Sequence, residues 1–300
     1  MNILVTGGNG FVGRHLLREL AQTNHKIASI TRQEMLDQGS IKVVAGDLGM
    51  FEEMREELIE FQPDVIIHLA WHGIPDYSQA VSRFNLNLSI EFLDFILDNT
   101  NCDKIISSGS CWEYGKKQGT CIETDLVNIN TYFTWAKHSL NQYLLVKCAE
   151  KDIILNWFRF FYVYGPGQRQ GSLIPTLIKS IGASETPQIN TPMNKNDFVY
   201  VEDIARLFTK AVEVNLPSGI YNLGSGYATS VYDICRIVEQ QLLGNEAISN
   251  QVLNNGQQDE MVNFWAGMEK TERALNMSCD TLLEEGIIKH IQSMQSENIA

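Results

Sequence analysis

This sequence of 300 residues has no closely spaced pair of cysteines and no long apolar run. Its six cysteines are scattered singly, which excludes the paired spacing of a zinc site and the density of a disulfide-stabilised scaffold. Every apolar run falls well short of the roughly 18 residues that a membrane-spanning helix requires. Because a strand pattern begins at the first residues, we also expect no secretory signal peptide and a cytoplasmic protein with free thiols.

Excess positive charge is missing as well. Lysine and arginine total 23 against 36 aspartates and glutamates, a net charge of -13 at pH 7. This charge argues against nucleic acid or an anionic membrane as a partner. The sequence shows no internal repeat, and hydrophobic residues make up 44% of it, which is enough for a large core.

What the sequence does contain is a strand pattern, a glycine-rich turn and a helix pattern at its N-terminus. Met1–Thr6 is apolar and rich in β-forming residues, and Arg14–Gln22 places leucines at helical spacing. In that setting the intervening glycines permit a tight turn and close approach to a pyrophosphate, and the helix start offers free N–H groups to phosphates. The segment predicts a dinucleotide-binding turn rather than an ordinary strand-to-helix connection. Its candidate cofactor-binding residues are Gly7, Asn9, Gly10, Phe11, Val12 and Gly13.

The residue after the second predicted strand bears on the choice of cofactor. Lys26–Thr31 has the pattern of a strand, and Arg32 follows it. At this place an acidic residue suits the ribose 2′-hydroxyl of NAD, whereas an arginine suits the 2′-phosphate of NADP. Arg32 therefore favours NADP(H) over NAD(H), unless it is an ordinary exposed loop arginine.

Strand and helix patterns continue to alternate along the chain. Such alternation is typical of an α/β protein, here a Rossmann-type doubly wound parallel sheet with helices on both faces. Further strands are predicted at 41–45, 64–69, 104–107, 153–160 and 220–223, and helices at 52–60, 78–99, 133–150 and 201–214. We predict a dinucleotide-binding domain over residues 1–165, to which 196–224 return. An interleaved, smaller C-terminal substrate-binding lobe is predicted over 166–300, where five of the seven prolines lie.

Open α/β sheets bind ligands at the carboxyl ends of their strands, and several polar or small residues fall there. Asp47 and Leu48 follow the third strand, where the carboxylate could accept a hydrogen bond from adenine or cap the next helix. After the fourth strand, the small apolar backbone at Leu69 and Ala70 could run along the cofactor. His68 is expected to pack in the core.

The segment 107–115 and the helix at 133–150 carry further candidates for chemistry. Small hydroxyls at 107–110 could hydrogen-bond a substrate carbonyl or hydroxyl, or simply form a serine-rich turn. Lys137 shares a helix face with Phe133 at spacing i, i+4. A lysine there could bond the nicotinamide ribose and lower the pKa of a neighbouring phenol. A solvated surface lysine is the alternative.

Taken together, these motifs resemble the landmarks of extended short-chain dehydrogenases/reductases, in the group that contains nucleotide-sugar epimerases, dehydratases and reductases. The resemblance covers essentially the whole chain and is more specific for the family than for the reaction. In order, the landmarks are TGGNGFVG at 6–13, GDL at 46–48, HLA at 68–70, SSGSCWEYG at 107–115, RFFYVYGPG at 159–167, NDFVYVEDIA at 196–205 and YNLGSG at 221–226.

The family's mechanism uses a serine or threonine, a tyrosine and a lysine, and this sequence departs from it at the tyrosine. The resemblance places the serine at Ser110 and the lysine at Lys137, but the tyrosine position is Phe133, which has no proton to give. The sequence could carry a deliberate Tyr-to-Phe substitution, or the protein could bind ligands without the family's redox chemistry. A third explanation, a phenol supplied by Tyr132, is sterically awkward because neighbouring helix residues point about 100° apart.

Further departures concern the substrate. Sugar dehydratases of the family have an acidic pair where this sequence has Cys111 and Trp112, which argues against dehydration. Cys111 could act in ring epimerisation, although an inert buried thiol is the preferred interpretation. Tyr162 and Asn196 replace a family asparagine and arginine near the phosphates of the sugar nucleotide. Asn85 resembles the family's helix asparagine near the active site and is assigned to the cofactor. The candidate substrate-binding residues are Trp71, Ser110, Cys111, Trp112, Tyr162 and Asn196.

The resemblance therefore implies an NAD(P)-dependent enzyme that modifies a nucleotide sugar. We favour an NADP(H)-dependent 4-reductase of an NDP-4-keto-6-deoxyhexose, because of Arg32 and the missing acidic pair. An NAD-dependent 4-epimerase and a catalytically silent, ligand-binding relative remain alternatives. Family members commonly form homodimers through their two long helices, here at 78–99 and 133–150, and no metal is expected.

Overall fold

The computed structural model describes residues 1–32, 41–256 and 262–297, which form strands and helices in alternation. The strands are β1 Asn2–Thr6, β2 Lys26–Thr31, β3 Ile41–Ala45, β4 Val65–His68, β5 Lys104–Ser110, β6 Gly119–Cys121, β7 Ile154–Phe160, β8 Tyr162–Tyr164, β9 Lys195–Asn196, β10 Phe198–Tyr200, β11 Gly219–Leu223, β12 Thr229–Ser230 and β13 Phe264–Ala266. The α-helices are α1 Phe11–Leu20, α2 Arg55–Phe61, α3 Gln79–Asn99, α4 Tyr132–Lys151, α5 Leu173–Gly182, α6 Val201–Glu213, α7 Val231–Leu243, α8 Ala247–Asn255, α9 Glu269–Leu275 and α10 Leu283–Glu297. Two 3-10 helices span Leu48–Met54 and Cys111–Tyr114.

A seven-stranded sheet has the order β11-β7-β5-β4-β1-β2-β3, and all its pairings are parallel. β1 lies between β2 and β4, with Val5 opposite Ser29 on one side and Ile67 on the other. Strands covered on both faces are expected to be nearly continuous apolar runs, which is why the sequence pattern located them well. β2 and β3 lie on one side of β1, and the next strand in sequence, β4, lies on its other side. At such a reversal of strand order a crevice opens at the carboxyl ends of the two strands, here β1 and β4. The predicted α/β, Rossmann-type fold is confirmed.

Helices cover the sheet on both faces. Successive residues of β1 point to opposite sides, and Ile3 belongs to a core cluster that also contains Leu16 of α1 and Phe208 of α6. Leu4 belongs to the other core, which contains Phe92 of α3 together with α4 side chains. In the described ranges, no helix is both long enough and apolar enough to cross a bilayer.

A third apolar cluster lies in the C-terminal part of the chain. It joins α5, α7 and α10 through buried side chains that include Ile178, Ile234 and Ile287. Three two-stranded pairings, β8 with β10, β9 with β12 and β6 with β13, lie outside the large sheet. The division into two interleaved domains with the boundaries given above stays a prediction.

β5 is longer than the sequence predicted. It continues to Ser110 because it stays paired with β7, where Ser110 lies opposite Phe160. Ser107 and Ser108 therefore lie in a strand, and the alternative of a serine-rich turn at these two positions is wrong. The longer strand carries Ser110 to the edge of the sheet at which the predicted cofactor residues lie.

The helix predicted at 52–60 is divided in two. The Asp47 side chain accepts a hydrogen bond from the N–H of Gly49 at 2.8 Å and so starts the first 3-10 helix. The 3-10 helix ends at Met54, whose φ of -99° and ψ of 6° are not helical, and α2 begins at Arg55 as a separate helix.

Candidate functional site

The glycine-rich turn joins the end of β1 to the start of α1. Gly7 has a φ of 74°, in the left-handed region that favours glycine, and a Cβ there would lie 2.8 Å from the Ala70 nitrogen. A Cβ on Gly13 would collide with the carbonyl oxygen of Gly7. No side chain caps α1 at Gly10, so the first N–H groups of the helix are available to an anion. These close approaches are those expected of a turn that cradles a pyrophosphate.

A cleft of about 680 Å³ opens beside this turn, at the carboxyl ends of β1 to β4, with α3 as a further wall. The predicted residues that line it are Gly7, Asn9, Gly10, Arg32, Asp47, Leu48, Leu69, Ala70, Trp71 and Asn85. The fold thus brings separate segments of the chain to one place. Phe11, Val12 and Gly13 form the first turn of α1 and do not themselves line the described cleft.

Asn85 of α3 holds the segment that follows β4. Its Nδ2 donates to the carbonyl of His72 at 3.0 Å, and its Oδ1 accepts from the N–H of His72 at 2.6 Å. The lining residues that sequence analysis missed are Thr6, Ile30, Thr31, Gly46, His72, Phe84, Leu88 and Ser89. Leu88 and Ser89 follow Asn85 at i+3 and i+4, a spacing that puts them on one helix face and could have identified them.

Two opposite charges stand in the cleft just after β2 and β3. Arg32 Nη1 lies 3.8 Å from Asp47 Oδ2, and the two side chains are 64% and 43% exposed. An exposed ion pair contributes only roughly 0–1 kcal/mol to stability. Either side chain can therefore leave the pair and contact a ligand at little cost in free energy. Asp47 caps the 3-10 helix and also lines the cleft, so the capping use is confirmed and the hydrogen bond to adenine stays a prediction.

The cleft has the features that a nicotinamide dinucleotide requires. The glycine turn leaves backbone N–H groups uncovered at one end, and Arg32 and Asp47 offer a cation and an acceptor where a ribose would lie. Trp71 Nε1 is buried and has no hydrogen-bond partner in the described chain, so it is a donor available to a ligand. The residues present therefore fit such a cofactor.

His68 is packed against the inner end of the cleft, as predicted. Its Nδ1 lies 2.9 Å from Thr6 Oγ1, and its Nε2 lies 3.0 Å from Ser89 Oγ. Burial lowers the pKa of this imidazole to about 3. His68 is therefore neutral near pH 7 and links β1, β4 and α3 without supplying a proton.

Lys137 is buried, with only 5% of its surface exposed, so the alternative of a solvated surface lysine is excluded. Its Nζ donates to the Ser108 carbonyl at 2.8 Å and lies 3.3 Å from Ser108 Oγ. The ammonium also lies 4.3 Å from the centre of the Trp71 ring, in a cation–π contact. Loss of hydration lowers the pKa of Lys137 to about 8. Lys137 does not itself line the described cleft. Trp71 lines the cleft and also contacts Lys137, so it connects the two.

Phe133 lies in a cluster of four aromatic side chains. Its ring centroid is 5.2 Å from that of Trp71, 5.1 Å from Tyr77 and 5.8 Å from Trp112, in the edge-to-face geometry that aromatic pairs prefer. Tyr77 and Trp112 also contact each other at 5.2 Å. We call Trp71, Tyr77, Trp112 and Phe133 the aromatic cluster. Trp71 joins this cluster to the cleft.

Tyr132 lies on a different surface. Its side chain is 52% exposed and lines a separate concave area with Gln79, Arg83 and Trp135. Because Tyr132 and Phe133 are adjacent on α4, one side chain turns outward when the other turns inward. The structure gives no support to Tyr132 as the source of the missing phenol.

Ser110 ends β5 and begins the 3-10 helix Cys111–Tyr114. Its Oγ accepts a hydrogen bond from the N–H of Trp112 at 3.2 Å, and its own N–H donates to Glu113 Oε1 at 2.9 Å. Glu113 is fully buried and accepts from Arg159 Nε at 3.0 Å. Sequence analysis missed Glu113 and Arg159, although Ser-x-x-Glu is the signature of a capping box. This buried ion pair holds Ser110 in place.

The other predicted substrate residues differ in their surroundings. Trp112 Nε1 donates to Tyr162 Oη at 3.2 Å, so Tyr162 adjoins the aromatic cluster. Cys111 is buried, and burial raises the pKa of its thiol well above the usual range, which agrees with an inert thiol. Asn196 lies in β9, with Oδ1 buried and without a hydrogen-bond partner among the residues described.

The sheet, the glycine turn and the cleft define a dinucleotide-binding protein of the Rossmann type. Comparison with known families makes this more specific. The profile of the NAD dependent epimerase/dehydratase family matches residues 3–224. The chain belongs to this family.

Individual relatives are distant but cover most of the chain. The dTDP-6-deoxy-L-talose 4-dehydrogenase (NAD(+)) of Aggregatibacter actinomycetemcomitans is 24% identical over 240 residues, which are 77% of this chain and 87% of that protein. The dTDP-4-dehydro-6-deoxyglucose reductase of Escherichia coli is 23% identical over 315 residues, 98% of this chain and 97% of that protein. UDP-glucuronic acid 4-epimerase from Bacillus cereus, solved in complex with NAD, superposes with a TM-score of 0.84 at 23% identity and covers 99% of both chains. The epimerase shares the fold of this chain, and the three proteins differ in the reaction that their names state.

Proposed function

We propose that the protein is an NADP(H)-dependent reductase that converts the 4-keto group of an NDP-4-keto-6-deoxyhexose to a hydroxyl. The observation that carries this proposal is the junction at Trp71, where the cofactor cleft meets the aromatic cluster and Lys137. The name of the Escherichia coli relative, a reductase of a 4-dehydro-6-deoxy sugar nucleotide, supports the substrate class.

The cleft residues are proposed to hold the dinucleotide, which supplies the hydride when bound. The glycine turn would bind its phosphates, and Leu69 and Ala70 would run along it. Arg32 supports NADP(H), because its exposed guanidinium can pair with a 2′-phosphate. One relative above has NAD in its name, and another was solved in complex with NAD. Asp47 beside Arg32 suits the ribose hydroxyl of NAD. The test of cofactor preference is therefore a direct comparison of the affinities for NADPH and NADH.

Ser110 and Lys137 are proposed to orient the reactants. Ser110 Oγ accepts a hydrogen bond from a backbone N–H, so its own O–H is available to donate a hydrogen bond to the sugar oxygen. Lys137 would exchange its bond to the Ser108 carbonyl for one to the nicotinamide ribose. Trp112 and Tyr162 would pack around the sugar. Cys111 and Trp112 supply no carboxylate, and this favours reduction over dehydration.

The test is turnover of dTDP-4-dehydro-6-deoxyglucose with NADPH by the purified protein. We expect loss of reduced-nicotinamide absorbance, with one 4-hydroxy sugar formed for each NADPH consumed. Phe133→Tyr should raise kcat roughly tenfold or more, because it adds a general acid beside Lys137. If neither protein oxidises NADPH with any 4-keto sugar nucleotide, the reductase proposal is wrong.

A catalytically silent, ligand-binding protein is the second candidate. It is favoured by Phe133, which lacks a proton, and by Lys137, whose ammonium is held by Ser108 and Trp71. This alternative predicts saturable dinucleotide binding without turnover, even in Phe133→Tyr. An NAD-dependent 4-epimerase would instead retain NAD through purification and interconvert sugars without net consumption of cofactor.

We further propose a homodimer in which α3 and α4 of two chains pack together. Leu145 and Val146 on α4 are apolar and exposed in the single chain. Light scattering should give twice the chain mass of 33.9 kDa, and Val146→Asp should shift it toward one chain. A wild-type monomer at micromolar concentration would contradict this.

A further inference from the structure

Reduction of a ketone needs a proton for the carbonyl oxygen, and Phe133 cannot supply it. This inference rests on the proposed reductase function and asks which group replaces the phenol. Two tyrosines adjoin the aromatic cluster, Tyr77 within it and Tyr162 beside it. The nearby His68 is neutral and Cys111 is a poor acid, for the reasons given above.

Tyr77 contacts Phe133 directly. Its ring centroid lies 5.1 Å from that of Phe133 and 5.2 Å from that of Trp112. It belongs to the segment between β4 and α3, which also supplies Trp71 and His72 to the cleft. The side chain is partly buried, and its hydroxyl forms no hydrogen bond within the described chain. Tyr77 therefore has a proton that no other described side chain uses.

Tyr162 is less suited to donate a proton. Its Oη already accepts from Trp112 Nε1 at 3.2 Å, and its ring packs against Phe198 and Phe264. Burial raises the pKa of this phenol above its usual range, so the proton is harder to lose. Tyr162 is better placed to hold Trp112 in position.

We propose that Tyr77 is the proton donor of this enzyme and replaces the phenol that position 133 lacks. In the reductive direction the carbonyl carbon of the sugar accepts a hydride from the reduced nicotinamide dinucleotide, and the C=O π bond breaks. The carbonyl oxygen forms a new O–H bond with the proton of Tyr77, whose own O–H bond breaks. The resulting phenolate regains a proton from water. Phe133 is then the apolar surface against which Tyr77 packs.

Steady-state reduction of dTDP-4-dehydro-6-deoxyglucose by NADPH tests the assignment. Tyr77→Phe should lower kcat roughly 100-fold or more, the range expected for loss of a general acid, with KM for NADPH unchanged. Tyr227→Phe removes a hydroxyl from an exposed side chain outside the cluster and is the matched control. Adding Phe133→Tyr to Tyr77→Phe should restore activity, because it returns a phenol to the same cluster.

Binding of the product by the cofactor-free protein tests the contact independently of turnover. If Tyr77 bonds the sugar 4-oxygen, Tyr77→Phe should weaken binding of dTDP-6-deoxyglucose or its C4 epimer, whichever the reduction forms, roughly three- to tenfold in calorimetry. Binding of dTDP alone should be unchanged, because it lacks the sugar. An equal loss for both ligands would show that Tyr77 only supports the structure, and would overturn the proposal.

The outcomes separate this inference from the function on which it rests. Wild-type turnover that survives Tyr77→Phe would overturn the role of Tyr77 and leave the reductase standing. Turnover only in Phe133→Tyr would show that Tyr77 donates no proton and that the native chain is silent. No turnover in either protein would reject the reductase function, and the role of Tyr77 with it.

Discussion

Replacing Lys137 with methionine should change how the stability of the protein depends on pH. Burial lowers the pKa of Lys137 from 10.5 to about 8 in the folded chain. Below about pH 8 both the folded and the unfolded lysine are protonated, so the buried charge destabilises the fold in full. Between the two pKa values the unfolded chain binds more protons, and the stability of the wild type rises with pH.

The two pKa values set the size of the effect. The buried ammonium costs the fold roughly 3 kcal/mol near neutral pH, and about 2 kcal/mol of this is removed by about pH 9.5. Urea unfolding of the wild type and of Lys137→Met, from near neutral pH to about pH 9.5, measures this change in stability. Subtracting one free energy of unfolding from the other cancels the contribution of every other titrating group. Over this range the free energy of unfolding of the wild type should rise by about 2 kcal/mol relative to that of Lys137→Met.

The control for this experiment is Lys26→Met, which removes an exposed lysine at the start of β2. Its difference from wild type should stay constant over the same pH range. A constant difference for Lys137→Met as well would refute the reasoning. It would mean that Lys137 is solvated and that its contact with Trp71 does not form in solution.

Three further predictions concern the capping network, the glycine turn and the cofactor. Glu113→Gln should lower the free energy of unfolding by roughly 3–5 kcal/mol in urea, because it leaves a buried guanidinium without its counter-ion; Glu57→Gln, in an exposed pair, should change it by less than about 1 kcal/mol. Gly13→Ala should abolish NADPH binding in a fluorescence titration, whereas Gly182→Ala, where the nearest atom to the new Cβ is 3.9 Å away, should bind normally. Arg32→Glu should reduce the preference for NADPH over NADH roughly tenfold or more; an unchanged ratio of Kd values would show that this side chain does not meet a 2′-phosphate.

The aromatic cluster surrounds Phe133, the residue at which this sequence departs from the tyrosine of its family. A phenylalanine at the expected tyrosine position is not isolated, because it packs edge-to-face with Trp71, Tyr77 and Trp112. Aromatic pairs of this kind contribute roughly 0.5–1.5 kcal/mol each beyond area burial. The cluster therefore stabilises the position of Phe133, and a new hydroxyl there would have to find a polar partner among these rings or in a ligand.

Much of the fold could be predicted from the sequence, because the information is local. The strands at Lys26–Thr31 and Ile41–Ala45 have the predicted bounds, since both are short runs rich in β-forming residues between turn residues. The glycine turn was predictable for a similar reason, since Gly7 and Gly13 occupy positions that a Cβ would strain or block. The absence of a phenol at position 133 is likewise read directly from the sequence and does not depend on the fold.

The tertiary structure alone decided how distant residues meet. β5 extends to Ser110 because β7 continues to pair with it, and Glu113 finds Arg159 across 46 positions of sequence. Lys137 is buried in contact with Trp71, and Tyr77, from the segment after β4, contacts Phe133 of α4. Periodicity specifies which face of an element is apolar, but the partners of a polar or aromatic side chain depend on long-range packing, and the chemistry of this site depends on those partners.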